Sequence, residues 1–140
     1  DFANKEGNLA IRLCSKLEQD IAVLSDNEKD MFLKEYNLSE PGLYKLIHAA
    51  FKLLGLETFF TGGSKQVRSW TIKKGTIAPD AAGEIHTDFQ RGFIKAEVFK
   101  YNDLVRLGSE KAVKDAGLAK LQGKDYVVQD GDCIYFHFNV

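Results

Sequence analysis

The chain has 140 residues, 44% hydrophobic and 28% charged, with a formal net charge of −1. That length fits one domain or two small ones, able to bury roughly 68–70% of their unfolded surface, and the composition is that of a globular protein rather than a disordered or fibrous one. No apolar run approaches the ~18 residues needed to cross a bilayer, the start "DFANKEGN" has no signal-peptide character, and two distant cysteines, Cys14 and Cys133, supply neither a disulfide framework nor zinc-ligand spacing; the expectation is a cytoplasmic chain without a metal site.

In chain order, "DFANKEG" reads as the tail of a helix ending on Gly7 in the left-handed conformation. The start has the look of a cut. "NLAIRLCS" reads as a short buried strand whose partner strands are not in this chain. "SKLEQDIAVL" follows as a helix with Leu17, Ile21 and Leu24 on one face. A strand feeding a helix fits an α/β layer. "SDNEKDMFLKEY" opens with a capping box of Ser25 and Glu28. "SEPGLYKLIHAAFKLLG" is the clearest helix: Ser39 suits its cap, Pro41 its first turn, and Gly55 its end. Its apolar stripe is Leu43, Leu46, Ile47, Ala50 and Leu54. "LETFFTGGS" closes this half, with Gly62-Gly63-Ser64 as a hinge, so the expected domains are 1–64 and 65–140.

The second half changes rhythm and charge. Residues 1–64 hold 7 Lys/Arg against 10 Asp/Glu, whereas residues 65–140 hold 12 against 10. "VRSWTI" reads as a strand, with Arg68, Trp70 and Ile72 on one face and Val67, Ser69 and Thr71 on the other; Trp70 suits core or surface. Thr76 suits the cap of a short helix whose inner stripe is Ala78, Ala81, Ala82 and Ile85. "FIKAEVF" reads as a strand with Ile94, Ala96 and Val98 inward, and residues 102–116 as helix broken at Gly108. "YVV" and "CIYFHF" read as strands joined by a turn in which Gly131 supplies positive φ. Four or five strands around one principal short helix make an α+β domain, and a mixed sheet wrapping a helix, the β-grasp, is the natural candidate.

Few residues point to chemistry. "NKEG", Asn4–Gly7, lacks the carboxylate that completes a guanine-selecting [N/T]-K-x-D loop. The phosphate-cradling G-x-x-x-x-G-K-[S/T] pattern does not occur, and the D-x-x-G string Asp80–Gly83 falls inside the short helix read after Thr76 rather than in a loop. The chain alone is therefore not expected to be an enzyme, and no residue is assigned a catalytic role. "KQVRSWTIKKG" holds Lys65, Arg68, Lys73 and Lys74 around Trp70 without an acid. It suits phosphate tracking with base stacking, or a lysine-guarded strand edge. "HTDFQRGF" suits either a structural corner or a recognition loop using His86 and Arg91. In the corner, His86 meets the helix C-terminal carbonyls, Asp88 orders the turn and pairs with Arg91, Phe89 and Phe93 anchor it, and Gly92 permits the reversal. His48 is given no role, and His137, between Phe136 and Phe138, reads as a sheet-face residue.

Gly75-Thr76, Asp80-Ala81-Ala82, Ile85-His86-Thr87-Asp88-Phe89 and Asp130-Gly131-Asp132 resemble the pattern of TGS domains, β-grasp modules of threonyl-tRNA synthetases, certain GTPases and SpoT/RelA enzymes. The longer strings "GLETFFTGGSKQVRSWTIKKGTIAPDAAGEIHTDFQRGFIKAEV" and "GKDYVVQDGDCIYFHFNV" resemble the C-terminal region of the YchF/Obg-like ATPases. "CSKLEQDIAVL" and "LSEPGLYKLIHAAFKLLG" resemble the segments that close that family's P-loop domain. The resemblance implies that residues 1–64 are the remnant of a P-loop domain, 65–140 a TGS domain, and Phe138-Asn139-Val140 a natural C-terminus. It implies a parent that binds and hydrolyses ATP or GTP with Mg²⁺ and works with ribosomes, its catalytic loops lying before Asp1. Cys14-Ser15-Lys16 matches the family's fifth nucleotide-binding loop, with no nucleotide or metal held by this piece alone.

Other β-grasp functions fit poorly. A sulfur carrier needs a Gly-Gly end, and a ferredoxin needs four cysteine ligands. Two readings stand. In one, the second half binds the ribosome or structured RNA through Lys65, Arg68, Trp70, Lys73, Lys74, His86 and Arg91. In the other, it caps and regulates the P-loop domain or binds a protein partner, without RNA. Neither reading expects a membrane partner or DNA specificity.

Overall fold

Residues 2–62 and 66–139 are described by a computed structural model, and the chain falls into two units, Asp1–Leu54 and Gly55–Val140. Lys65, with Gly63 and Ser64 of the expected hinge, lies outside the described residues.

In the first unit, α1 (Phe2–Lys5) is a single turn closed as expected by Gly7 at φ +72°, with the Asn8 amide donating to the Ala3 carbonyl at 2.8 Å. Residues 8–14 do not form the expected strand. A strand exists only through a neighbour's ladder, and no described segment supplies one. α2 (Ser15–Ala22) buries Ile21 and half-buries Leu17. α3 (Asp26–Glu35) starts with the expected capping box: the Ser25 amide and hydroxyl both donate to Glu28 Oε2, at 2.8 and 2.6 Å. These bonds hold the Glu28 carboxyl below its ordinary value, the hydroxyl contributing most. At the start of α4 (Gly42–Leu54) the expected cap, Ser39, is replaced by Glu18 of α2. Its two carboxylate oxygens accept from the amides of Gly42 and Leu43 at 2.8 and 3.1 Å, an anion satisfying free donors at a positive helix end. Leu43, Leu46, Ile47 and Leu54 of the apolar stripe remain exposed.

The second unit is a five-stranded mixed sheet with helices. Its first strand, β1 (Leu56–Gly62), pairs antiparallel with β2 (Val67–Lys73), from Leu56 opposite Lys73 to Gly62 opposite Val67. After β2 come α5 (Ala78–Ile85), α6 (Thr87–Arg91) and β3 (Phe93–Lys100). α7 (Tyr101–Leu107), α8 (Glu110–Asp115), β4 (Lys120–Gln122) and β5 (Asp132–Phe138) complete it. The strand order is β2-β1-β5-β3-β4, with β5 parallel to β1 and antiparallel to β3. The boundary expected after residue 64 therefore gives way to one after Leu54, because β1 belongs to this sheet.

The principal core lies between α5 and one sheet face. Ala78, Ala81 and Ala82, all fully buried, let α5 approach Phe59, Ile72, Ala96, Val98, Ile134 and Phe136, while Ile85, expected in the same inner stripe, packs against this core only partly buried. A smaller cluster forms on the opposite face, where Val113 of α8 and Leu104 of α7 cover Phe99, Cys133 and Phe60.

Three local expectations change. A bulge between Phe93 and Lys95 turns Phe93 inward and leaves Ile94 exposed, although Ala96 and Val98 keep their inward face. "YVV" forms one isolated bridge, Val127 to Ile77, instead of a strand. Thr76 does not cap α5: Ile77 holds that position, and the Thr76 hydroxyl donates to the Lys73 carbonyl at 2.7 Å to close the β2–α5 turn.

Candidate nucleic-acid interface

The basic hairpin is divided by its own register. Alternation places Arg68 and Trp70 on the α5 side with the buried Ile72, and Lys73 on the opposite side, while Lys74 lies in the following turn. Trp70 is half-buried against the core, and its indole N–H donates to Thr61 Oγ1 at 2.9 Å. The ring thus serves packing. Arg68 turns back on Gln66, donating to its side-chain oxygen at 3.0 and 3.2 Å. Lys73 and Lys74 are exposed, and no described carboxylate lies in ion-pair reach of either.

His86 and Arg91 meet through Asp88. His86 does not face the carbonyls of α5; it is the N-cap of α6, and its Nδ1 accepts from the Asp88 amide at 3.1 Å. The same nitrogen lies 3.6 Å from Asp88 Oδ2, an attraction that would need a proton on Nδ1. Arg91 donates to Asp88 Oδ1 at 2.9 Å, and both the His86 and Arg91 side chains remain largely exposed. Phe89 stacks on Phe138 with ring centroids 3.8 Å apart. Gly92 has an ordinary φ of −92°, so the reversal does not need its freedom. A Cβ there would overlap the Asn139 carbonyl, and close approach is what requires glycine.

The Cys14-Ser15-Lys16 segment sits at the start of α2. Cys14 is the exposed N-cap, and Lys16 pairs with Asp20 at 2.7 Å. Among the described residues no group of three His, Cys, Asp or Glu side chains could hold a metal ion, and no helix is long and apolar enough to cross a membrane.

Two clusters exceed what the sequence suggested. The first is the junction at Asp130-Gly131-Asp132. Asp130 Oδ1 accepts from the Thr58 amide at 2.7 Å, and the Gly131 amide donates to the Thr58 carbonyl at 2.8 Å. Asp132, fully buried, binds Lys100 Nζ at 2.5 Å, the Tyr126 hydroxyl at 2.7 Å and the Gln129 amide at 2.8 Å. Burial, then the bond to Asp132, pushes the Tyr126 phenol above its ordinary value. Burial pushes the neighbouring Cys133 thiol up to about 11. A turn signal announced this corner but not its buried charge.

The second cluster is the sheet face opposite α5, with a groove of about 570 Å³ lined by Phe60, Phe99 and Leu121 and edged by Lys95, Tyr135 and His137. Lys114 holds Glu97 at 2.7 Å across it, which raises the lysine's pKa.

Residues 56–139 match the family model YchF-GTPase_C, described as "Protein of unknown function (DUF933)". The chain belongs to the YchF/Obg-like ATPase family. Across all 140 residues it is 49% identical to the "Ribosome-binding ATPase YchF" of Escherichia coli O157:H7 and 51% identical to that of Bacillus subtilis. It spans only 39% and 38% of those relatives, and corresponds to the C-terminal region of YchF/Obg-like ATPases. The structure of the Schizosaccharomyces pombe YchF GTPase superposes with a TM-score of 0.79 at 37% identity, covering 94% of this chain and 34% of that one. The mixed sheet with its helices is thus a YchF-type arrangement.

Proposed function

We propose that this chain is the C-terminal part of a ribosome-associated ATPase, and that its second unit is a TGS-type β-grasp module that contacts ribosomal RNA. The observation that carries the reading is the match along the whole chain to relatives named as ribosome-binding ATPases. The strand order β2-β1-β5-β3-β4, with α5 packed on the sheet after the first hairpin, supports the β-grasp assignment. Nucleotide hydrolysis with ATP or GTP and Mg²⁺ belongs to the parent protein. There Cys14, Ser15 and Lys16 would offer backbone beside the base, and loops outside this chain would hold the phosphates and metal.

Exposed Lys73, Lys74 and Arg91 supply phosphate contacts in this reading, with His86 beside Arg91 and Arg68 at the strand edge. Such binding is electrostatic and weakens with salt. Sedimentation of the chain with ribosomes should show association at low salt that is lost at high salt. Absence of the chain from the ribosomal pellet at low salt, or pelleting indifferent to salt, overturns the reading.

A second reading rests on the exposed Leu43, Leu46, Ile47 and Leu54 of α4. An apolar stripe of this kind suits packing against the preceding part of a longer protein. Reversing the charge at Lys73 and Lys74 separates the two: it weakens ribosome association but leaves such packing intact.

A further inference from the structure

We infer that the open face of the sheet, opposite α5, binds single-stranded RNA by stacking bases on Tyr135 and His137. This rests on the RNA-contacting function just proposed and adds a stacking surface on β5 to the phosphate contacts of the basic hairpin. β5 is the central strand, paired with β1 on one side and β3 on the other. Ile134 and Phe136 point into the α5 core, so Tyr135 and His137 emerge on the other face. α7 and α8 cover only one end of that face, over Cys133 and Phe99. Tyr135 is left 57% exposed in the middle of the sheet, and its ring meets His137 edge-to-face at 5.0 Å.

Central-strand aromatics displayed on an open sheet form a stacking platform for unpaired bases. A cation stands where a backbone phosphate would pass. Lys95 lies directly opposite His137 in the ladder, is exposed, and has no described carboxylate in ion-pair reach. Glu97 and Glu110 also border the groove; Glu97 is paired with Lys114 at 2.7 Å, which leaves Lys95 as the cation beside the two rings. A protein-binding patch is the competing use. The apolar core of such a patch would have to cover Lys95, which stands directly opposite His137 in the ladder without a described ion-pair partner. The planar rings with a free cation therefore favour nucleic acid.

The test is fluorescence anisotropy at low salt, with the 140-residue chain and a labelled short RNA offered either single-stranded or as a duplex. The single strand should bind more tightly. Tyr135→Ala should weaken it about tenfold, while Tyr135→Phe, which keeps the ring, should not. Lys95→Ala should reduce the slope of log K against log salt by about 0.7. Circular dichroism confirms that the surface variants stay folded. If ribosome association persists while Tyr135→Ala binds the single strand as tightly as the parent chain, or the duplex binds better, this inference is overturned and the proposed function stands. Ribosome association without binding to either RNA form also overturns it. Loss of both associations overturns both readings.

Discussion

Asp132 shows how one residue can organise several elements. It is fully buried, yet its carboxylate is answered by a lysine, a phenol and a backbone amide. Neighbouring Asp130 and Gly131 tie the same corner to β1 through Thr58, and the Gly131 carbonyl accepts from the Tyr101 amide at 2.9 Å to start α7. Replacing Asp132 with alanine removes three bonds at once. Removing one partner of a buried ion pair costs about 3–5 kcal/mol when the other is stranded. Lys100, however, is 48% exposed and can turn to water. We therefore expect Asp132→Ala to lower unfolding free energy by about 2–3 kcal/mol, chiefly from the unsatisfied phenol and amide. Urea denaturation followed by circular dichroism checks this. A change within about 0.5 kcal/mol, typical of a surface substitution, would place the site's worth elsewhere.

At the scale of the element, β3 carries a contrast that simple alternation gets backwards. Phe93 is buried and Ile94 exposed because the ladder slips at the bulge before Lys95. Phe93→Ala should cost about 3–5 kcal/mol, while Ile94→Lys should change stability by no more than about 0.5 kcal/mol. The two midpoints in one denaturant series settle the register. Much of the second unit was legible before the structure. The Ala78-Ala81-Ala82 stripe follows helical spacing, and the positive φ of Gly131 follows from what only glycine adopts easily. The misses share a cause. β4 is three residues long, too short to carry a period. "NLAIRLCS" has the composition of a strand but no described neighbour, and composition cannot supply a ladder. At the candidate interface, Lys73 and Lys74 were visible as charge, but their separation from Trp70 needed the register. Tyr135 was hidden inside an ordinary alternating strand until the helices were seen to leave its face open.

For the whole molecule, the decisive question is where the independently stable piece begins. The glycine-rich stretch after β1 looks like a domain hinge, whereas the units divide after Leu54 and the family match begins at residue 56. The difference is one strand, and that strand is internal. β1 lies between β2 and β5, contributes the fully buried Phe59, and receives the Asp130 and Gly131 bonds at Thr58. A fragment beginning at residue 65 would leave β2 without its partner β1 and open one edge of β5. It would also delete Phe59 from the core, a loss on the order of 3–5 kcal/mol, when a small domain has only about 5–15 kcal/mol in total. Residues 55–140 should therefore unfold in one cooperative thermal transition, while residues 65–140 should lack one and show poorly dispersed amide resonances. Scanning calorimetry and proton–nitrogen correlation spectra of the two fragments make the comparison. A cooperative, well-dispersed 65–140 fragment would show that the sheet closes without β1 and would return the boundary to the glycines.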